Sequence, residues 1–79
     1  MYLVFTSPDI EGRERNILGA FKTYEEAWRH AREAMEGDVR YFRTLHFSAF
    51  LEMYDYGSWS RFIGIESDAE PLPTIERSN

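Results

Sequence analysis

Two histidines are the first residues of this chain that could do chemistry. His30 lies four residues after Glu26 and three before Glu33, so on a helix the two carboxylates would flank its imidazole. Histidine and carboxylate groups are ligands for zinc, although a complete site would need a ligand from another segment. Charged helix faces carry the same spacing without a metal, and we predict no metal site. His46 alternates with apolar residues, which predicts a position on a sheet surface.

The motifs of common active sites are missing from the sequence. There is no cysteine and no Gly-x-Ser-x-Gly segment, and five scattered glycines form no phosphate-binding loop. Acidic pairs such as Glu52/Asp55 and Glu66/Asp68 fall at a predicted turn and tail, where solvated carboxylates are usual. A chain of 79 residues also offers little room for a closed pocket. We therefore predict a protein that is not an enzyme and uses no cofactor.

Aromatic and arginine side chains concentrate between residues 54 and 61, around a predicted turn. Tyr, Trp and Arg dominate protein interfaces because they combine a large contact area with a polar group. We predict a partner-binding site made of Tyr54, Asp55, Tyr56, Trp59 and Arg61. In a second interpretation, Trp59 and one tyrosine form a cross-strand pair that stabilises the hairpin. Both interpretations fit the sequence.

A second candidate surface is acidic and consists of Glu66, Asp68 and Glu70. Carboxylates in a row can contact a basic surface on another macromolecule. A solubilising tail is the simpler interpretation of the same residues.

Composition narrows the possible partners. The chain carries 14 acidic and 9 basic residues, a net charge of -5, which disfavours contact with phosphate backbones, so nucleic acid is not an expected partner. It has no apolar run of about 18 residues and no signal-peptide pattern at its N-terminus, so we expect no membrane partner. The absence of cysteine adds to the expectation of a cytoplasmic protein.

The first half of the chain predicts a hairpin followed by a helix. Strands are expected at Tyr2–Ser7 and Ile17–Lys22, separated by a polar loop. Thr23 and Glu26 form a capping box, and apolar residues then recur at helical spacing, which predicts a helix over Thr23–Glu36 that ends at Gly37.

The second half predicts strands. Alternation from Val39 to Met53 is too long for one regular strand, so we expect either a bend or bulge near Phe47–Phe50 or two consecutive strands. A helix over Ser48–Tyr54 is the competing interpretation. A turn at residues 55–58 and a returning strand at Trp59–Ile65 follow. We predict an α+β fold: an antiparallel sheet of four or five strands, in the order β-β-α-β-(β)-β, with the helix on one face. Residues 1–66 form the domain, and residues 67–79 form an acidic, proline-containing tail.

The segment F-K-T-Y-E-E-A at residues 21–27, set between a hairpin and later strands, resembles small accessory proteins of phages and bacteria. The chain is similar in type to phage-encoded inhibitors of host defence, including anti-CRISPR proteins, which are short, acidic and without catalytic motifs. This resemblance implies a non-enzymatic protein-binding module that inhibits a host protein or complex by blocking a surface. The alternatives are a self-associating structural module, such as a homodimer, or a small single-stranded nucleic-acid binder.

Overall fold

A computed structural model describes residues 1–35, 43–57 and 60–73, with the backbone alone for residues 43–47. Its elements are β1 (Tyr2–Ser7), β2 (Asn16–Phe21), α1 (Tyr24–Ala34), β3 (Arg43–Ser48), β4 (Leu51–Asp55) and β5 (Phe62–Ser67). The strands form one five-stranded sheet in the order β2-β1-β5-β4-β3, in which all neighbours are antiparallel. The predicted α+β fold class and order of elements are confirmed.

The segment for which the sequence left strand and helix open forms a β-hairpin of β3 and β4. β3 and β4 are separated only by Ala49 and Phe50, and their pairing is irregular between His46 and Ser48. The alternative of two consecutive strands is confirmed, and the competing helix over Ser48–Tyr54 is wrong. Side chains on both faces of β4 are buried, which a strand inside a sheet achieves and a surface helix does not.

The second strand of the next hairpin, β5, begins later in the chain than the sequence predicts. The backbone N–H of Tyr56 donates to the Arg61 carbonyl oxygen, and that of Ser60 donates to the Gly57 carbonyl oxygen. β5 therefore begins at Phe62, three residues after the predicted start at Trp59, because the turn is longer than two residues. Trp59 itself lies outside the described residues.

Helix α1 is capped as the sequence predicts. The Thr23 hydroxyl accepts from the backbone N–H of Glu26, and the Glu26 carboxylate in turn accepts from this hydroxyl at 3.3 Å. Tyr24, Ala27 and Ala31 form the buried face of the helix, against β1, β5 and β2. Gly37, the predicted end of the helix, lies outside the described residues.

Both faces of the sheet are covered. The helix-side core contains Val4, Tyr54, Ile63 and Ile65 in addition to residues of α1. On the opposite face, a smaller cluster consists of Phe5, Met53 and Phe62, packed against Ile10 and Leu51.

The β1–β2 loop folds over this smaller cluster. Gly12 adopts φ +69°, a left-handed conformation, and lies against the Phe5 ring. The Arg15 guanidinium stacks on the same ring at 4.0 Å from its centroid. The β1–β2 loop therefore covers this face of the sheet, as α1 covers the opposite face.

The end of β5 and the residues that follow it contact the β3–β4 turn. The backbone N–H of Ser67 donates to the Phe50 carbonyl oxygen at 2.8 Å, and that of Leu72 donates to the Ala49 carbonyl oxygen at 2.6 Å. Leu72 is buried in the helix-side core, so packing extends into the segment predicted as a tail. Within the described ranges, no helix is long and apolar enough to cross a membrane.

Candidate functional site

Most of the predicted hairpin site is inside the protein. Tyr54, Asp55 and Tyr56 are 0%, 1% and 7% exposed, so these three side chains offer almost no surface to a partner. Alternate residues of β4 enter opposite faces of a sheet that is covered on both, which explains why neighbouring side chains are all buried. Arg61 is exposed and stacks on the Tyr56 ring at 4.7 Å from its centroid. Partner binding at this hairpin stays a prediction that Arg61 can support.

Tyr54 instead belongs to a polar cluster that the sequence did not reveal. Glu52, which is 2% exposed, accepts hydrogen bonds on Oε2 from the hydroxyls of both Tyr24 and Tyr54. The two hydroxyls are 3.3 Å apart, and the Trp28 ring packs on that of Tyr54. Two features of the sequence could have predicted this cluster. The spacing of Glu52 and Tyr54 puts both side chains on one face of a strand, and Tyr24 brings a hydroxyl group to the buried face of α1.

This cluster affects the titration of Tyr54. Burial raises the pKa of the Tyr54 hydroxyl far above its ordinary value, and the adjacent Glu52 carboxylate raises it further. The hydroxyl therefore stays protonated and acts as a hydrogen-bond donor rather than as a base. A general-base role for this tyrosine is not supported by its surroundings.

The predicted acidic surface is partly neutralised. Glu66 forms a 2.6 Å ion pair with Arg15, and Asp68 accepts from the N-terminal ammonium group at 2.8 Å. That hydrogen bond lowers the pKa of the Asp68 carboxyl. Glu70 is exposed, and its backbone N–H donates to the Ser67 hydroxyl. These three residues share one end of the sheet, but they do not form a row of free carboxylates.

The histidine on the helix has structural contacts. The His30 ring stacks on Phe21 at 4.3 Å between centroids, and its Nδ1 lies 3.2 Å from the Glu26 carbonyl oxygen. In the part of the chain that the structure describes, no three histidine or acidic residues are grouped so as to hold a metal ion.

The β2 edge is the first surface feature that the sequence did not single out. β2 lies at one edge of the sheet and contains neither a charged residue nor a proline. Ile17 and Leu18 are 51% and 44% exposed. Leu18 is the extra residue of a bulge, because Val4 pairs with Gly19 whereas Phe5 pairs with Ile17. Edge strands are usually protected from pairing with another chain by charges, proline or a bulge, and of these three β2 contains the bulge alone.

The second such feature is an open cleft of about 450 Å³ beside the start of β2. We call it the Arg61 cleft. The end of β1, the residues around the start of β2 and the β4–β5 loop each supply part of its wall, with Thr6, Glu14, Asn16, Tyr56, Ser60 and Arg61 among the lining residues. It therefore joins the exposed part of the predicted hairpin site to the β2 edge.

In the part of the chain that the structure describes, the geometry defines a small α+β protein with a two-sided core, a β2 edge without charge or proline, and an open cleft beside the start of β2. Comparison with protein-family models, with curated proteins and with solved structures finds no match to this chain.

Proposed function

We propose that this chain is a non-enzymatic protein-binding module that uses the β2 edge as a contact surface. The observation that carries the proposal is that two large apolar side chains are about half exposed on an edge strand without charge or proline. Unpaired backbone groups at such an edge can accept a strand from another chain, and exposed apolar side chains add affinity.

The arrangement of polar residues supports binding rather than catalysis. Glu52, the most buried acid on the helix side, is occupied by two phenol hydroxyls, and Asp55 accepts from the backbone N–H of Gly57. The carboxylates therefore serve the fold where they are buried. Among the described residues, the apolar side chains of Ile17 and Leu18 by contrast leave about half of their surface exposed.

The narrower form of the proposal is an inhibitor from a phage or mobile element that blocks a host protein in the cytoplasm. Its support is the small size, the net charge of -5 and the similarity in type to anti-CRISPR proteins. A self-associating module would use the same β2 edge. A single-stranded nucleic-acid binder is disfavoured by the net negative charge.

A pair of matched substitutions tests the β2 edge. Leu18→Lys places a charge on the edge, whereas Phe50→Lys makes the same change at a side chain of similar exposure (43%) on the β3–β4 turn. Tagged wild-type, L18K and F50K chains would be used to capture proteins from a lysate of the host, with quantitative mass spectrometry. We expect the same enriched proteins for wild type and F50K, and their loss for L18K.

Both variants must first show wild-type circular dichroism and unfolding midpoints. Equal enrichment by folded L18K and wild type would refute a contact at β2. Light scattering of the wild-type chain at high concentration separates the self-associating alternative, since a strict monomer excludes it.

A further inference from the structure

Two charges of opposite sign lie at equal distances along the chain from the exposed centre of β2. Leu18, which is 44% exposed, follows Glu14 by four residues and precedes Lys22 by four residues. β2 itself contains no charged residue, so Glu14 and Lys22 lie beyond its two ends. The edge therefore has an apolar middle, an acid on one side and a base on the other.

The other charged residues just before β2 are already paired within the chain. Arg13 and Arg15 each form an ion pair with an acidic residue of the same molecule. Glu14 and Lys22 are both exposed, and among the described residues neither side chain takes part in an ion pair. Glu14 also lines the Arg61 cleft, which is open, so its side chain has room to reorient. These two charges are therefore available for a contact with another molecule.

We infer that the β2 edge binds a second copy of this chain, with the two β2 strands antiparallel about a two-fold axis at Leu18. Symmetry then places Glu14 of each copy opposite Lys22 of the other, so the contact contains two ion pairs. Leu18 meets its own counterpart at the axis, with Ile17 beside it. The contact thus covers the two apolar side chains that β2 leaves about half exposed.

The bulge at Leu18 limits what the backbone contributes to this dimer. A bulge interrupts the hydrogen-bond ladder of an edge strand and opposes the simple addition of another strand. The centre of the contact is therefore made by apolar side chains. The charges at the two ends, rather than a continuous ladder, select the antiparallel orientation.

The net charge of the chain opposes self-association only weakly at physiological salt. Each copy carries a net charge of -5, which repels a second copy. Charges farther apart than about 8 Å are largely screened, whereas Glu14 and Lys22 lie in direct contact in this arrangement. Exposed ion pairs contribute little individually, so the apolar side chains supply most of the affinity.

The dimer goes beyond the proposed function and needs no partner protein to be tested. One consequence does rest on the proposed function: a partner protein that binds β2 must displace the second copy. The edge would then be covered in the free protein and exposed to a partner at low concentration of the chain.

Charge reversal tests the arrangement by sedimentation velocity over a range of protein concentrations. We expect wild type to dimerise. Glu14→Lys and Lys22→Glu should each raise the dimer dissociation constant about tenfold, because each converts two attractive pairs into two repulsive ones. An equimolar mixture of E14K and K22E should regain the dimer, since the mixed dimer again sets a lysine against a glutamate at both ends.

Matched variants separate this contact from general charge effects. Glu70→Lys makes the same charge change as E14K at an exposed residue beyond β5, and it should not weaken the dimer. Leu18→Lys should abolish the dimer, because symmetry sets the two lysines against each other at the axis, whereas Phe50→Lys should keep it. All variants must first show wild-type circular dichroism and unfolding midpoints.

The outcomes separate the inference from the proposed function. A wild-type chain that stays monomeric at every concentration would overturn the inference, while the lysate comparison of L18K and F50K still decides the proposed function. A dimer that persists in L18K, or one that E14K and K22E leave unchanged, would also overturn it. A dimer lost in each single variant and regained in the mixture would support the inference, even if L18K and wild type captured the same proteins and so refuted the proposed function.

Discussion

At the scale of single residues, Glu52 is a buried acid whose position requires hydrogen-bond partners inside the core. Its carboxylate is buried beneath α1 and depends on two phenol hydroxyls for hydrogen bonds. Burial of an acid without hydrogen-bond partners costs several kcal/mol. An acid whose hydrogen bonds are all made instead favours one packing arrangement of a small core over others. The two tyrosines come from β4 and from the first turn of α1, so the cluster fixes where the helix begins over the sheet.

Removal of the tyrosine hydroxyls should destabilise the protein in a non-additive way. Tyr24→Phe or Tyr54→Phe leaves Glu52 with one phenol donor, and we expect each to cost about 1–3 kcal/mol in urea unfolding. The double variant should cost more than the sum, because the carboxylate then loses both phenol donors.

A background without the carboxylate provides the control. In Glu52→Leu, both tyrosine substitutions should cost little, since no buried acid remains to be satisfied. An unchanged cost in that background would show that the hydroxyls do not act through Glu52.

Gly64 lies in the smaller core cluster, where packing leaves no space for a side chain. A Cβ atom there would lie 2.7 Å from both Phe5 Cε1 and Met53 Sδ, well inside contact distance. We expect Gly64→Ala to destabilise the protein by about 1–3 kcal/mol, as overpacking does in a tight core. Chemical denaturation of Gly64→Ala alone and combined with Phe5→Leu would measure this, and the smaller ring should recover part of the loss. A neutral Gly64→Ala would mean that the β1–β2 loop and the Phe5 ring can shift freely.

At the scale of elements, α1 was the easiest part to predict because its signals are local. Thr23 and Glu26 determine where the helix starts, and the apolar spacing determines its buried face. β1 was equally clear, since Pro8 follows it directly.

The later strands depend on tertiary contacts and were harder to predict. The alternation from Val39 to Met53 does not show where the chain turns. Because β4 is buried on both faces, its sequence does not show the regular alternation of apolar and polar residues that marks a half-exposed strand. The β4–β5 turn was predicted too short for the same reason. The burial of Tyr54 and Tyr56 and the exposure of Ile17 follow from strand order, which adjacent residues do not encode.

The helix cap gives a test at this scale. Thr23→Ala removes the hydroxyl that accepts from the Glu26 N–H, and we expect a loss of about 1 kcal/mol in thermal or urea unfolding. Thr23→Ser keeps the hydroxyl and should stay close to wild type. If alanine and serine were equally stable, the cap would contribute nothing to the fold.

At the scale of the whole molecule, stability comes from two thin cores on opposite faces of one sheet. α1 covers one face and the β1–β2 loop covers the other, so the chain buries large rings without disulfides. The helix-side core, however, contains titratable phenols and a carboxylate. Its stability should therefore respond to pH in a direction that the pKa of Tyr54 determines.

Alkaline pH should unfold this protein through Tyr54. An unfolded tyrosine has a pKa of about 10, and the folded pKa of Tyr54 is raised by burial and by Glu52. The contribution of this shift is fully present below about pH 10 and is lost as the pH rises towards the folded value, because the unfolded chain releases its proton first. We expect the free energy of unfolding, measured with urea between pH 8 and 11.5, to fall above pH 10 by up to about 1.4 kcal/mol per pH unit from this residue.

The comparison with Tyr54→Phe isolates that contribution from the other groups that titrate at high pH. The variant starts less stable but should lose stability less steeply above pH 10, so the two curves converge. Parallel curves for wild type and Tyr54→Phe would mean that the Tyr54 proton is no harder to remove in the folded chain than in the unfolded one, and the buried phenol–carboxylate cluster would then not be the origin of the alkaline transition.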